Sequence, residues 1–116
     1  MPAKVVYNLN ESSQKTTIMD KVTNPTVKVL ATGDKFVAKQ MQGKAGYLLP
    51  KHLANVESVI FIHEGECILN INEEDKILKP GDAFIIPPNI KHHFKAITDF
   101  KGIHMMPKEI KFQFFE

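Results

Sequence analysis

Apolar and polar residues alternate with a period of two along most of the chain from Val27 onward. The alternating or apolar runs are short, and turn-forming Gly, Pro, Asn and Asp residues separate them. The runs that predict strands cover residues 27–30, 36–41, 59–62, 67–71, 76–78, 83–86, 94–97 and 100–106. Strands of about 4–7 residues at intervals of about 8–12 residues are typical of an antiparallel sandwich or barrel. The pattern therefore predicts an all-β fold.

The two ends of the chain add amphipathic segments to this pattern. Residues 4–10 place Val5, Tyr7 and Leu9 on one face of a predicted strand, and a short helix is indicated over residues 11–19. Residues 109–115 place Ile110, Phe112 and Phe114 on one face of a second predicted strand. An apolar terminal strand either covers the chain's own sheet or pairs with a second subunit. Because two-fold symmetric oligomers are common, we expect a homodimer.

Composition narrows the class of protein without naming an activity. The 116 residues form one domain, 1–116, with a net charge of +2 from 15 lysines and 13 acidic residues. The lysines are scattered, so no nucleic-acid partner is expected. The single cysteine, Cys67, excludes an internal disulfide. No apolar run reaches the roughly 20 residues of a membrane span, and the start resembles no signal peptide, so we expect a cytoplasmic location.

Glycine and histidine recur at set intervals in the first part of the predicted core. Five residues separate Gly46 from His52, and Ala54 follows His52 after one residue. Three further residues lead to Ser58, and six more lead to Gly65. The run over residues 59–62, which predicts a strand, ends at Glu64 and Gly65.

A second stretch has a related spacing. Five residues separate Gly81 from Pro87, and Asn89 follows after one residue. Asn tolerates the left-handed backbone that glycine usually supplies. Two residues then lead to His92, and three more lead to Ala96. Together the two stretches resemble the two motifs of small single-domain cupins, with a motif core over residues 46–96, which implies a single antiparallel β-barrel of jelly-roll type.

The resemblance implies a metal site that this chain has kept only in part. The family binds a divalent metal through a His-x-His pair, a Glu and a later His, of which only His52 and His92 remain here. Ala54 has no donor atom, and the neutral hydroxyl of Ser58 is a poor ligand. A catalytic site normally needs three protein ligands. His104 is a substitute if the face of its strand that carries it points inward.

The resemblance to cupins also suggests a ligand-binding cavity inside the fold. An apolar pocket with a few convergent polar groups is the usual form of a binding site. The candidate cavity residues are Tyr47, His52, Ser58, Ile60, Phe84, His92, Phe94 and His104, with Met41, Ile62 and Met106 as further wall residues. The alternative is that these side chains fill the interior completely. His63 and His93 are predicted to lie outside the cavity.

Three functions are compatible with these residues. The first is a small-molecule-binding cupin whose degenerate site holds no tightly bound metal. The second is a metal-dependent enzyme of dioxygenase or isomerase type, with a divalent transition metal on His52, His92 and His104. The third, a metal-free epimerase with a histidine base, lacks an evident carboxylate to orient that base. The sequence assigns no catalytic residue and does not identify the ligand.

Overall fold

The computed structural model describes residues 22–115 of the chain, and it confirms the all-β prediction. Ten strands follow one another along this part of the chain. They are β1 Thr26–Thr32, β2 Phe36–Gly43, β3 Lys51–Ala54, β4 Ser58–Glu64, β5 Cys67–Ile71, β6 Glu74–Leu78, β7 Ala83–Ile86, β8 His92–Ala96, β9 Phe100–Pro107 and β10 Phe112–Phe115. Between residues 22 and 115, no helix is long and apolar enough to cross a membrane. The strand predicted over residues 4–10 and the helix predicted over 11–19 lie outside the described residues.

The strands form two five-stranded antiparallel sheets. Sheet I has the order β1-β2-β9-β4-β7, and sheet II has the order β10-β3-β8-β5-β6. After β2 the chain moves to the other sheet at every connection except the β5–β6 hairpin. β10 pairs with β3 of the same chain, so the C-terminal apolar strand forms an edge of this chain's own sheet II.

The predicted barrel is not closed, which corrects the fold prediction. None of the strand pairs within residues 22–115 joins sheet I to sheet II, so the two sheets face each other as an open sandwich. Closure would require an edge strand of sheet I, β1 or β7, to pair with an edge strand of sheet II, β10 or β6, and no such pairing is present among the described residues. Several connections between the sheets contain proline, which cannot donate to a ladder of backbone hydrogen bonds. Pro50, Pro80, Pro87 and Pro88 all lie in connections that cross from one sheet to the other. The open sandwich remains consistent with a jelly-roll fold.

Strand β3 was not predicted, because its sequence Lys51-His52-Leu53-Ala54 contains no apolar run. It pairs with β10 over four residues and with β8 only through His52 and His92. Strand β3 is therefore held mainly by tertiary pairing rather than by its own β-propensity. It is the strand that brings His52 into the interior.

Gly65 is required by a close approach of two chain segments. It has a positive φ of 75°, and a Cβ atom here would collide with the carbonyl group of Asp99. The turn between β4 and β5 therefore lies directly against the turn before β9. This contact gives a physical reason for glycine at the end of the first motif.

The interior between the sheets has two parts with different packing. The packed half is centred on the β4–β5 hairpin, and its fully buried side chains include Ile62, Cys67, Leu69 and Phe100. The open half lies toward the edge strands β1 and β10, where the interior contains a cavity. The histidines singled out in the sequence lie in the open half.

Candidate functional site

The cavity of the open half lies between the two sheets and has a volume of about 310 Å³. This is at the lower end of the range of about 300–1,000 Å³ for small-molecule sites. Its lining is mostly apolar. The lining residues are Asn24, Pro25, Val27, Lys39, Met41, Leu49, Pro50, His52, Ile60, Ile86, His92, Phe94, His104, Met106, Phe112 and Phe114.

His52 and His92 form an adjacent pair on sheet II. They lie directly opposite each other on β3 and β8, and their ring centroids are 4.5 Å apart in an edge-to-face arrangement. Nδ1 of His52 donates to the carbonyl oxygen of Pro50 at 3.0 Å, and Nδ1 of His92 donates to that of Ile90 at 3.0 Å. Because a carbonyl oxygen only accepts, Nδ1 carries the proton in both rings. In the neutral rings each Nε2 is therefore an unprotonated acceptor.

His104 approaches the cavity from sheet I. It lies opposite Ile60 on β4, and its strand buries Phe100, Gly102 and Met106 on the same side. The inward orientation considered in the sequence is thus the observed one. Nε2 of His104 shares a hydrogen bond of 2.8 Å with the hydroxyl of Ser58. This nitrogen is therefore already engaged with a protein group.

Burial holds the imidazoles of the cavity in the neutral form. Desolvation is the main cause in each case, because it disfavours the charged ring. It lowers the pKa of His52, and it lowers the pKa of His92 and that of His104 to about 4 each. The neighbouring histidines lower the last two pKa values further, and Lys39 adds to the effect on His104. The three rings are thus neutral at physiological pH.

Lys39 is a cavity residue that the sequence analysis missed. It lies on β2 directly opposite His104 on β9, so the two side chains belong to one cross-strand row of sheet I. Within residues 22–115, Lys39 forms no ion pair with an acidic side chain, and the cavity lining contains no Asp or Glu. The alternation of β2 already placed Lys39 on the same face as Met41. Because lysine side chains are usually exposed to solvent, the sequence alone did not indicate that Lys39 lines the cavity.

The predicted cavity residues divide into two groups. The structure brings together His52, Ile60, His92, Phe94 and His104, with Met41 and Met106, around the cavity. It does not place Tyr47, Ser58, Ile62 or Phe84 in the lining. Ile62 and Phe84 belong to the packed half, and Ser58 is buried behind His104.

Tyr47 lies in the connection between β2 and β3, from which Leu49 and Pro50 line the cavity and Tyr47 does not. Its backbone N–H donates to Lys44, and its carbonyl accepts from the N–H of Ala96. The walls that the sequence did not indicate are the two edge strands, where Val27 of β1 and Phe112 and Phe114 of β10 line the cavity. The sequence predicted the apolar face of β10 but did not indicate that this face lines the cavity. His63 is exposed, and His93 borders a different pocket.

The donor set does not fit the metal that the cupin resemblance implies. Ala54 offers no donor atom, and the hydroxyl of Ser58 is bonded to His104. Within the described part of the chain, no group of three His, Cys, Asp or Glu side chains is arranged to hold a metal ion. The only cysteine, Cys67, is fully buried in the packed half, and burial raises the pKa of its thiol to about 12. The imidazoles therefore act here as hydrogen-bonding groups.

Two facing antiparallel sheets, with histidines from both sheets around one enclosed pocket, define a small jelly-roll domain. A sequence model of the family described as "Cupin domain" matches residues 41–105, which is more than half of the chain. The chain therefore belongs to the cupin family. No curated protein sequence matches it.

Solved structures support the fold. A cupin-2 domain-containing protein from Shewanella frigidimarina has a TM-score of 0.67 at 17% identity, over 74% of this chain and 83% of that one. A cupin superfamily protein from Desulfitobacterium hafniense has a TM-score of 0.66 at 16% identity, over 75% of this chain and 80% of that one. Salicylate 1,2-dioxygenase from Pseudoaminobacter salicylatoxidans, in complex with gentisate, has a TM-score of 0.70 at 16% identity, over 78% of this chain but 29% of that one. At these identities the likeness extends to the fold alone.

Proposed function

We propose that this cupin is a small-molecule-binding protein whose ligand occupies the cavity of the open half. The observation that carries the proposal is the cavity itself, a mostly apolar space of about 310 Å³ into which three neutral imidazoles point. A pocket of this size with a few convergent polar groups is the usual form of a ligand site.

The hydrogen-bonding state of the imidazoles defines what they recognise. Nε2 of His52 and Nε2 of His92 are unprotonated because Nδ1 of each ring donates to a backbone carbonyl. Both nitrogens therefore accept hydrogen bonds, which calls for a ligand with O–H or N–H donors. The backbone contacts also fix both ring orientations, so little side-chain entropy is lost when a ligand binds.

The edge strand β10 supplies the aromatic part of the site. The rings of Phe112 and Phe114 lie 5.4 Å and 5.2 Å from the ring of His52. Phe114 is 62% exposed although it lines the cavity, so it stands at the cavity mouth. A ligand with an apolar body would cover this ring and remove its surface from water, which stabilises the complex.

The test is a screen of small neutral fragments against the full chain by saturation-transfer NMR at pH 7.5. Phenols and primary amides are suitable fragments, because they combine an apolar body with a hydrogen-bond donor. We expect several to bind, and we expect His52→Phe and His92→Phe each to weaken them about three- to tenfold by removing one acceptor. His63→Phe is the matched control, because His63 lies at the exposed end of β4 and outside the cavity lining.

Two results would contradict the binding proposal. One is that none of the fragments binds to the unaltered chain. The other is that the untagged protein retains one equivalent of a transition metal that His52→Ala removes. The second result would instead favour the metal-dependent enzyme with His104 as the third ligand. Homodimer formation and a cytoplasmic location stay predictions of the sequence.

A further inference from the structure

We propose that the ligand of this cavity is a small organic monocarboxylate whose carboxylate is held by Lys39 while its apolar body lies between the two sheets. This inference rests on the proposed function and names the chemical class of the ligand. It predicts that a carboxylic acid is preferred over an uncharged molecule of the same shape.

The position of Lys39 allows its ammonium group to meet a ligand in the cavity. Lys39 lies opposite His104 on one side and Val29 of β1 on the other, and it lines the mostly apolar cavity. Lysine often buries its methylene stem along apolar surface and keeps the ammonium group accessible. A ligand in the cavity therefore meets the ammonium group at the edge of an apolar surface.

The charge balance of the lining favours an anion as the ligand. Lys39 is the only lysine in the lining, which contains no carboxylate among the described residues. A cation beside an apolar cavity with no fixed counter-charge favours an anionic ligand. The carboxylate would form a charge-assisted hydrogen bond with the ammonium group, which is stronger than a bond between neutral groups.

The remaining lining selects one kind of anion. A single ammonium group balances one negative charge, and the three imidazoles supply none because they are neutral. An inorganic phosphate would leave part of its charge uncompensated and would bury no apolar surface. A monocarboxylate with an aromatic or branched aliphatic body matches both the single cation and the aromatic rings of Phe112 and Phe114.

The test compares carboxylic acids with their primary amides, which have nearly the same shape but no charge. Suitable pairs, each with a hydroxyl donor for the imidazoles, are 3-hydroxybenzoate and 3-hydroxybenzamide, 4-hydroxybenzoate and 4-hydroxybenzamide, and 2-hydroxy-4-methylpentanoate and 2-hydroxy-4-methylpentanamide. Their dissociation constants are measured at pH 7.5 with the full chain. We expect at least one acid to bind about tenfold more tightly than its amide, the usual gain from a hydrogen bond to a charged group.

The variants assign this preference to one side chain. Lys39→Met keeps the length and the apolar stem, and we expect it to abolish the preference for the acid without weakening the amide. Lys39→Arg keeps the charge and should keep the preference. Lys28→Met is the matched control, because Lys28 lies one strand away on the exposed β1 and outside the cavity lining. If Lys39→Met does not fold, Lys39→Gln serves the same purpose.

The outcomes separate the two proposals. If the amides bind as tightly as the acids, or if Lys39→Met keeps the preference, the carboxylate inference is wrong while the binding function stands. If neither the acids nor the amides bind, both proposals are wrong. If inorganic phosphate displaces the acids at equal concentration, the site selects any small anion and the organic class is wrong.

Discussion

The packed half and the open half of the interior lie between the same two sheets, yet only the packed half is filled. In the packed half, Ile62, Leu69 and Phe100 are all fully buried and belong to one apolar cluster. In the open half, His52, His92 and His104 surround a cavity of about 310 Å³. The difference lies in the side chains rather than in the strand pairing.

The comparison shows that alternation determines which way a side chain faces, but not whether the space it faces is filled. Both halves use the same period of two. The open half lies beside the edge strands β1 and β10, which close it only in part, and its lining includes three histidines and Lys39. The cavity keeps three imidazoles away from bulk water. Protonating one of these rings in the folded chain therefore costs free energy. The predictions below test this contrast in order of expected size.

The largest effect is expected from Phe100→Ala in the packed half. Phe100 is 1% exposed, so the substitution removes apolar contacts and leaves a cavity, which should lower the free energy of unfolding by about 3–5 kcal/mol. Phe114→Ala in the open half should lower it by less than about 1 kcal/mol, because Phe114 is 62% exposed. Urea unfolding of both variants measures the difference. Equal losses would show that the two halves are packed alike.

The next effect is a pH dependence that arises from the open half. The pKa values of His92 and His104 are lowered to about 4, whereas an unfolded chain has the ordinary histidine value of about 6.5. Between these values the unfolded chain binds more protons, so the free energy of unfolding falls as the pH falls and is unaffected above the window. We expect a loss of about 1.5 kcal/mol for each imidazole between pH 6.5 and pH 5.

Variants identify the groups behind this pH dependence. His92→Phe and His104→Phe should each remove about 1.5 kcal/mol of the loss, while His63→Phe should leave it unchanged because His63 is exposed. Urea unfolding at several pH values gives the slopes. His52 and Lys39 also face this region, and both contribute to lowering the pKa of His104. A slope that none of the three variants alters would assign the pH dependence to groups outside the cavity.

The smallest effect is expected from Ser58→Ala, which removes the hydrogen bond to Nε2 of His104. Loss of one such bond should lower the free energy of unfolding by about 1 kcal/mol. In a His104→Phe background the same substitution should have almost no effect, because the partner is already absent. A full cost of Ser58→Ala in that background would show that the hydroxyl stabilises the fold through another contact.

Sequence reasoning captured the repetitive parts of the molecule and the two inherited histidines. The period of two predicted nine of the ten strands, all except β3, and the spacing from Gly46 to His92 indicated the cupin fold that the family match confirms. These features depend on local pattern, which a sequence displays directly. The sequence left the facing of His104 open, and the structure places it on the inward side of its strand with Phe100, Gly102 and Met106.

The parts that were missed depend on contacts between distant segments. β3 has no apolar run, and it exists as a strand because β8 and β10 pair with it. The open edge between the sheets and the position of Lys39 beside His104 depend on register, which a sequence alone does not display. Tyr47 and Phe84 were assigned to the cavity by residue type, and the structure places them elsewhere.

The state of the histidine rings tests the central claim most directly. Long-range nitrogen–proton NMR spectra of the full, nitrogen-15-labelled chain at pH 6 report which ring nitrogen carries the proton. The account predicts that His52 and His92 are neutral with the proton on Nδ1, and that a bound fragment shifts the bare Nε2 signals. Rings that are doubly protonated at pH 6, or that carry the proton on Nε2, would contradict the proposal that the cavity binds its ligand through neutral imidazole acceptors.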